Sequence, residues 1–140
     1  MEAPDSPVTG LLIDLDGVIY QGDAALAGAV DCLAWLEASG MPYLFVTNTT
    51  SRPRGAIVDK LAAMGVNTHR DRILTPAVAA VDWLAQQSIS SLALFVPEAT
   101  REEFAGFAID SDEVGAVVLG DYGEDWDFQT LNRAFRLLMR

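Results

Sequence analysis

The chain has 140 residues, of which 51% are hydrophobic and 21% charged, a balance that specifies a packed core and excludes general disorder. Nine Lys and Arg against twenty Asp and Glu leave a formal net charge of −11, which excludes the basic stripe that a nucleic-acid or anionic-membrane surface needs. One cysteine, Cys32, excludes an internal disulfide and an all-cysteine metal site.

No apolar run approaches the roughly 18 residues that span a bilayer, and Met1 to Asp5 lacks the basic and apolar regions of a signal peptide. The sequence therefore predicts a soluble, cytoplasmic, acidic protein with no membrane and no nucleic-acid partner.

In chain order, the first apolar run, Val8 to Leu15, is short and stops at Asp14-Leu15-Asp16-Gly17, which favours a buried strand. Val30, Leu33, Ala34, Trp35 and Leu36 recur with helical spacing, and Gly40 stands where that helix would end, with Cys32 on its core face. Tyr43-Leu44-Phe45-Val46 reads as a second buried strand, followed by the polar run Thr47-Asn48-Thr49-Thr50-Ser51. Pro53 opens a helix with Ile57, Leu61 and Met64 on one face, closed by Gly65.

Thr75-Pro76 has the pattern of an N-cap and first turn, with Val78, Val81 and Leu84 as the inward stripe. Leu92 to Val96 is a third strand, Thr100 with Glu103 has capping-box spacing, and Val114 to Leu119 is a fourth strand. From Phe128, Leu131, Ala134, Phe135 and Leu138 share one helical face. Strands alternating with helices predict an α/β protein with a parallel sheet, divided in the polar Gln86 to Ser91 stretch into residues 1–87 and 88–140. The chain ends inside a strongly amphipathic helix, which reads as the N-terminal part of a longer protein.

Asp14 and Asp16 carry the strongest chemical signal. Two apart on a strand, both carboxylates point to one face, at the carboxyl end where parallel sheets open onto their ligands. Close carboxylates repel, and an oxygen-preferring divalent cation relieves the repulsion; Mg²⁺ suits a site with few protein ligands, waters and phosphate oxygens. The alternative is an Asp-Gly turn with no ligand. Thr47 and Asn48 end the second strand and offer a hydroxyl and an amide to an anion, or else simple turn chemistry.

These residues carry a resemblance. Asp14-Leu15-Asp16-Gly17-Val18-Ile19-Tyr20 after an apolar strand resembles motif I of the haloacid dehalogenase superfamily, and Val46-Thr47-Asn48-Thr49-Thr50 resembles its motif II. The Gly-Val-Ile-Tyr and Thr-Asn-Thr-Thr-Ser stretches are similar to its class IIA branch, whose members insert a large cap domain after motif II. The resemblance implies the N-terminal half of a Rossmann-like core in residues 1–87 and the first part of an α/β cap (C2-type) in 88–140. It further implies a Mg²⁺-dependent phosphatase acting on a small phosphorylated substrate. In that scheme Asp14 is the nucleophile that forms an aspartyl-phosphate, and Asp16 is general acid and then base. The metal is held by the Asp14 carboxylate and the Asp16 backbone carbonyl, and Thr47 and the Asn48 backbone N–H hold the phosphoryl group. The Asp-Gly-Val stretch from Asp16 is the flap over the site.

The family pattern also includes a motif III lysine and motif IV acidic residues, and neither stands in its expected place. Lys60, the only lysine, falls within the helix after motif II and reads as a solvated surface residue. Gly120-Asp121-Tyr122-Gly123-Glu124-Asp125 mimics motif IV but fits the cap better. Two other readings stay open: a receiver-like phosphoacceptor module, and an inactive binding or oligomerisation fragment. An incomplete cap leaves the apolar face of the 128–139 helix open to self-association as a homo-oligomer. His69 reads as a solvated loop residue, Arg52 and Arg54 as helix-start charges, and Trp35, Trp83 and Trp126 as packing residues.

Overall fold

The computed structural model describes residues 7–109 and 113–140, which form two compact units. The first contains the residues up to Thr47 together with Arg54–Leu74. It holds β1 (Leu11–Asp14), β2 (Tyr20–Gln21), β3 (Ala24–Ala25), α1 (Ala29–Ser39), β4 (Tyr43–Val46), α2 (Arg54–Ala63) and β5 (Ile73–Leu74).

The β1-β4-β5 sheet is parallel throughout. Its core packs Leu15, Phe45 and Ile73 against Leu33 and Leu36 of α1 and Ile57 and Leu61 of α2, with Leu11 and Ile13 partly buried beside them. The period-2 alternation of a strand sends Leu12 the other way, and that side chain is exposed.

Two sequence expectations change here. Cys32 is exposed: α1 buries the arc of Ala29, Leu33 and Leu36, and Cys32 stands just outside its edge, about 40° round the helix from Leu36. Trp35 is exposed for the same reason. Gly40 does end α1: it adopts φ 67° and its N–H donates to the Glu37 carbonyl at 3.2 Å. The short β2–β3 hairpin and β5 have too few residues to show a periodicity.

Asn48–Pro53 and Thr75–Arg140 make the second unit. It contains α3 (Pro76–Gln86), β6 (Ser91–Phe95), β7 (Ala108–Ile109), β8 (Ala116–Leu119) and α4 (Phe128–Leu138). The sheet order is β7-β6-β8, all parallel. Central β6 is buried on both faces, as its unbroken apolar run requires. Leu92, Leu94 and Val96 join Ala77 and Leu84 of α3 and Phe104 on one side, whereas Ala93 and Phe95 meet Ala134 of α4, with Val117 and Trp126, on the other.

Thr75 caps α3 as expected, its Oγ1 accepting the Val78 N–H at 3.3 Å. The buried positions of that helix are Ala77 and Leu84 rather than Val78, and Trp83 is exposed. Because those two side chains bury against β6, α3 groups with the second unit, ahead of the expected 87/88 division.

Thr100 is not a cap. It lies fully buried inside a 3₁₀ turn spanning Glu98–Phe104, and its hydroxyl donates to the Thr50 carbonyl at 3.4 Å. Thr50 also accepts the Asp121 N–H on Oγ1 at 2.9 Å, so the tail of the motif II stretch ties the 3₁₀ turn that follows β6 to the residue after Gly120 at the end of β8. α4 starts at Phe128, as expected, and Asp127 caps it, its Oδ1 accepting the Thr130 N–H at 2.7 Å. Its inward residues are Ala134 and Leu137, while Leu131, Phe135 and Leu138 are exposed. Trp126 packs as expected, stacked on Phe95 with 5.7 Å between centroids. Among the described residues no helix is long and apolar enough to cross a membrane.

Candidate active site

Asp14 closes β1 at the carboxyl end of a parallel sheet, the edge where such sheets bind ligands. The strand alternation that turns partly buried Ile13 and buried Leu15 toward the core turns Asp14 outward and leaves it exposed. One carboxylate oxygen accepts the Leu15 N–H at 2.8 Å.

Leu15 anchors the turn that follows. It is fully buried, and its carbonyl accepts the N–H groups of Val18 at 3.3 Å, Ile19 at 2.9 Å and Tyr20 at 3.2 Å. Gly17, at φ 81°, lets the chain reverse, and its N–H donates to the Tyr20 carbonyl at 2.7 Å. Asp16 is held between this buried anchor and the glycine, and is exposed. The stretch read as a flap is thus a tight turn closed on one carbonyl.

Thr47 belongs to the same unit. Asp14 pairs with Val46 in the β1–β4 register, so Thr47 is the next residue beyond the sheet on the neighbouring strand. It is buried, and its N–H donates to the Leu74 carbonyl at 3.1 Å, carrying the β4–β5 ladder one step further. Asp14, Asp16 and Thr47 are therefore brought to one strand-end region. Asn48 is exposed and groups with the second unit.

The donors offered here are carboxylate and backbone oxygens, the hard ligands of Mg²⁺. Among the described residues no group of three or more His, Cys, Asp or Glu could hold a metal. One or two carboxylates, completed by water and substrate phosphate, is the usual protein share of a Mg²⁺ shell, so Asp14 and Asp16 fit that ion. The residues mimicking motif IV, Asp121, Glu124 and Asp125, lie in the second unit and are exposed.

Lys60 departs from its expected solvated role. Its side chain is only 18% exposed, Nζ standing 3.7 Å from Asp23 and 4.0 Å above the Tyr20 ring, so it pins the β2–β3 hairpin from α2. His69 is exposed, as expected, 3.9 Å from Asp71. Arg52 is exposed and Arg54, the first residue of α2, is half-buried. A third cluster had no sequence signal beyond residue type. Tyr43 donates to Glu37 at 2.6 Å, Arg72 donates to the same carboxylate oxygen, and the Arg72 guanidinium lies 4.8 Å from the Tyr43 ring.

In this parallel α/β unit an outward carboxylate ends the first strand, a second stands two residues on and a hydroxyl residue ends the adjacent strand, a candidate strand-end site. The chain belongs to the haloacid dehalogenase-like hydrolases, whose family profile matches residues 11–110.

It is 33% identical over 136 residues to the human phospholysine phosphohistidine inorganic pyrophosphate phosphatase, covering 94% of this chain and 49% of that protein. It is equally 33% identical over 129 residues to mouse haloacid dehalogenase-like hydrolase domain-containing protein 2, covering 92% and 49%. The chain spans about half the length of the curated relatives it matches.

Among solved structures, the p-nitrophenyl phosphatase from Archaeoglobus fulgidus superposes with a TM-score of 0.87 at 26% identity, covering 96% of this chain and 53% of that one. A glycerol phosphate phosphatase from Mycobacterium tuberculosis in complex with magnesium gives 0.81 at 28% identity, covering 93% and 41%.

Proposed function

We propose that this chain carries the nucleophile half of a cytoplasmic, Mg²⁺-dependent phosphatase for a small phosphorylated substrate. The observation that carries the reading is the outward Asp14 carboxylate at the carboxyl end of β1, in register with the end of β4. The names of the relatives and structural neighbours support the same class of reaction. Residues 1–87 correspond in this reading to the core and 88–140 to the first part of the cap.

An Asp14 oxygen attacks the phosphorus in line with the leaving oxygen; the P–O bond to that oxygen breaks and an aspartyl-phosphate forms. Asp16, protonated, passes its proton to the leaving oxygen, and as carboxylate it then takes a proton from the water that attacks phosphorus. That second attack releases inorganic phosphate and regenerates Asp14. The Thr47 hydroxyl donates a hydrogen bond to a phosphoryl oxygen, and the Asn48 N–H follows it in the chain. The Asp14 carboxylate and the Asp16 carbonyl would hold Mg²⁺, which would supply positive charge to offset the repulsion between nucleophile and phosphate.

The test is hydrolysis of p-nitrophenyl phosphate by the chain, with and without Mg²⁺, beside Asp14→Asn. Release of p-nitrophenolate that needs the metal and disappears in the variant is the expected result. A folded chain that releases none overturns catalysis by this half alone, and one that takes up phosphate from a small donor but keeps it supports the receiver-like alternative.

A further inference from the structure

The second unit holds a half-open cavity of about 400 Å³ that shares no residue with the strand-end site of the first. That volume lies within the range of small-molecule sites. Two cations line it: Arg101, from the 3₁₀ turn after β6, and Arg133, from α4. Gln129 stands one turn before Arg133 on the same helical face, and Tyr122 comes from the segment after β8. Leu94 and Phe95 of β6 supply its apolar wall.

Charge singles this cavity out. The chain has twenty acidic residues against nine Lys and Arg, yet two of the nine meet here and no acidic residue lines the cavity among the described residues. Both guanidinium groups are held by their surroundings. The Arg101 side chain is 27% exposed and stands 3.7 Å from Glu98, and the Arg133 guanidinium lies over the Phe95 ring at 5.4 Å from its centre. Phe95 is itself buried, stacked on Trp126 and edge-on to Tyr122, so the wall that carries Arg133 is fixed by packing. Cations already ordered in this way lose little freedom when an anion arrives.

We propose that this cavity binds a small organic phosphate, its phosphoryl group held between Arg101 and Arg133. A carboxylate, with two oxygens and one charge, is satisfied by a single guanidinium fork, whereas a phosphomonoester dianion has three terminal oxygens and calls for both. The Gln129 carboxamide and the Tyr122 hydroxyl add two neutral donors. The ligand carries an organic group because the cavity is far larger than a bare phosphate and part of its wall is aromatic. The neighbouring acids do not close the site to an anion: Glu98 is 94% exposed, and Asp127 is committed to the Thr130 N–H at 2.7 Å. The argument stands on the second unit and is independent of the phosphatase reading.

Two-dimensional ¹H–¹⁵N NMR of the Asp14→Asn chain in EDTA tests it, with no nucleophile or metal present to consume a probe. Phenyl phosphate and inorganic phosphate are titrated separately to about 20 mM at constant ionic strength, which covers millimolar dissociation constants. Saturable shifts at the N–H groups of Arg101, Tyr122, Gln129 and Arg133 are expected, with phenyl phosphate bound about 2- to 10-fold more tightly through its ring. Arg101→Gln and Arg133→Gln each weaken binding about tenfold or more. Arg133 is exposed, so its replacement leaves the unliganded spectrum otherwise unchanged and keeps the test valid should Arg101→Gln disturb the fold. Shifts that do not saturate, shifts confined to the Asp14–Thr47 region, or full affinity in Arg133→Gln overturn the proposal. Equal affinity for the two probes overturns the organic group and leaves a site for phosphate alone.

Discussion

Asp14 on β1 and Val46 on β4 are direct partners in a parallel register, so the residue after Val46, Thr47, leaves the sheet beside the residue after Asp14. Thr47 is buried and its N–H is committed to the Leu74 carbonyl, which fixes its backbone before any ligand arrives. Thr47→Val keeps the volume and that backbone bond and removes only the hydroxyl. A hydrogen bond to a charged oxygen contributes about 1.5–3 kcal/mol, so kcat/KM for p-nitrophenyl phosphate falls about 10- to 100-fold. Steady-state kinetics beside a thermal melt check this. A fall in melting temperature that accounts for the lost activity makes Thr47 structural.

Asp16 differs from Asp14 in what the leaving group asks of it. In the proposed mechanism a general acid at this position would contribute about 10²- to 10⁴-fold for a poor leaving group. p-Nitrophenolate leaves readily without a proton, so Asp16→Asn costs less with that substrate than with an alkyl phosphate, whereas Asp14→Asn abolishes both. Rates on the two substrates for the two variants test the assignment. Equal losses on both substrates for Asp16→Asn remove its acid role.

Gly17 carries the turn between the two aspartates and Tyr20. A Cβ there meets nothing within 4 Å, so crowding is not the cost of replacing it. The cost is the φ of 81°, a left-handed conformation that disfavours an L side chain by about 1–2 kcal/mol. Gly17→Ala is expected to lower the free energy of unfolding by that amount, and Gly17→Asn, which tolerates the region better, by less. Urea unfolding of both variants gives the order.

The readable parts of the fold were those with long local signals. β1, β4 and β6 announce themselves as apolar runs, and Thr75-Pro76 and Gly40 mark real helix ends because caps are chemistry within four residues. Motif I was legible for the same reason: both carboxylates, the glycine and the following apolar residues are contiguous. What failed was facing. The apolar residues of α4 occupy an arc wide enough to contain two stripes, and the sequence does not say that Ala134 rather than Phe135 meets the sheet. Cys32 and Trp35 were misplaced by the same ambiguity on α1. Lys60 over Tyr20 and Thr50 bonded to Asp121 join residues 40 or more positions apart, a proximity that only tertiary packing creates.

The cluster of Glu37, Tyr43 and Arg72 predicts a pH dependence of stability on both sides of neutrality. Hydrogen bonds from Tyr43 and then Arg72 hold the Glu37 carboxyl below the ordinary carboxylate range. Partial burial, then the bond to Glu37, pushes the Tyr43 phenol above its ordinary value. A carboxyl whose pKa is depressed by folding stabilises the fold above its unfolded value, and that contribution disappears as pH falls through the folded one. A phenol whose pKa is raised stabilises the fold below its unfolded value, and that contribution disappears as pH rises through the folded one. The wild type is therefore expected to exceed Glu37→Gln in urea midpoint by a constant margin between about pH 6 and 9 and to lose that margin in acid. Tyr43→Phe loses its own margin in alkali. The effect is modest, since Glu37 is largely in solvent and the pair is screened. Urea midpoints of the three proteins from acid to alkaline pH check both limbs. A margin for Glu37→Gln that persists unchanged below the carboxylate range removes the carboxylate from the account and leaves only the packing of Tyr43 on Phe45, whose rings stand 5.3 Å apart.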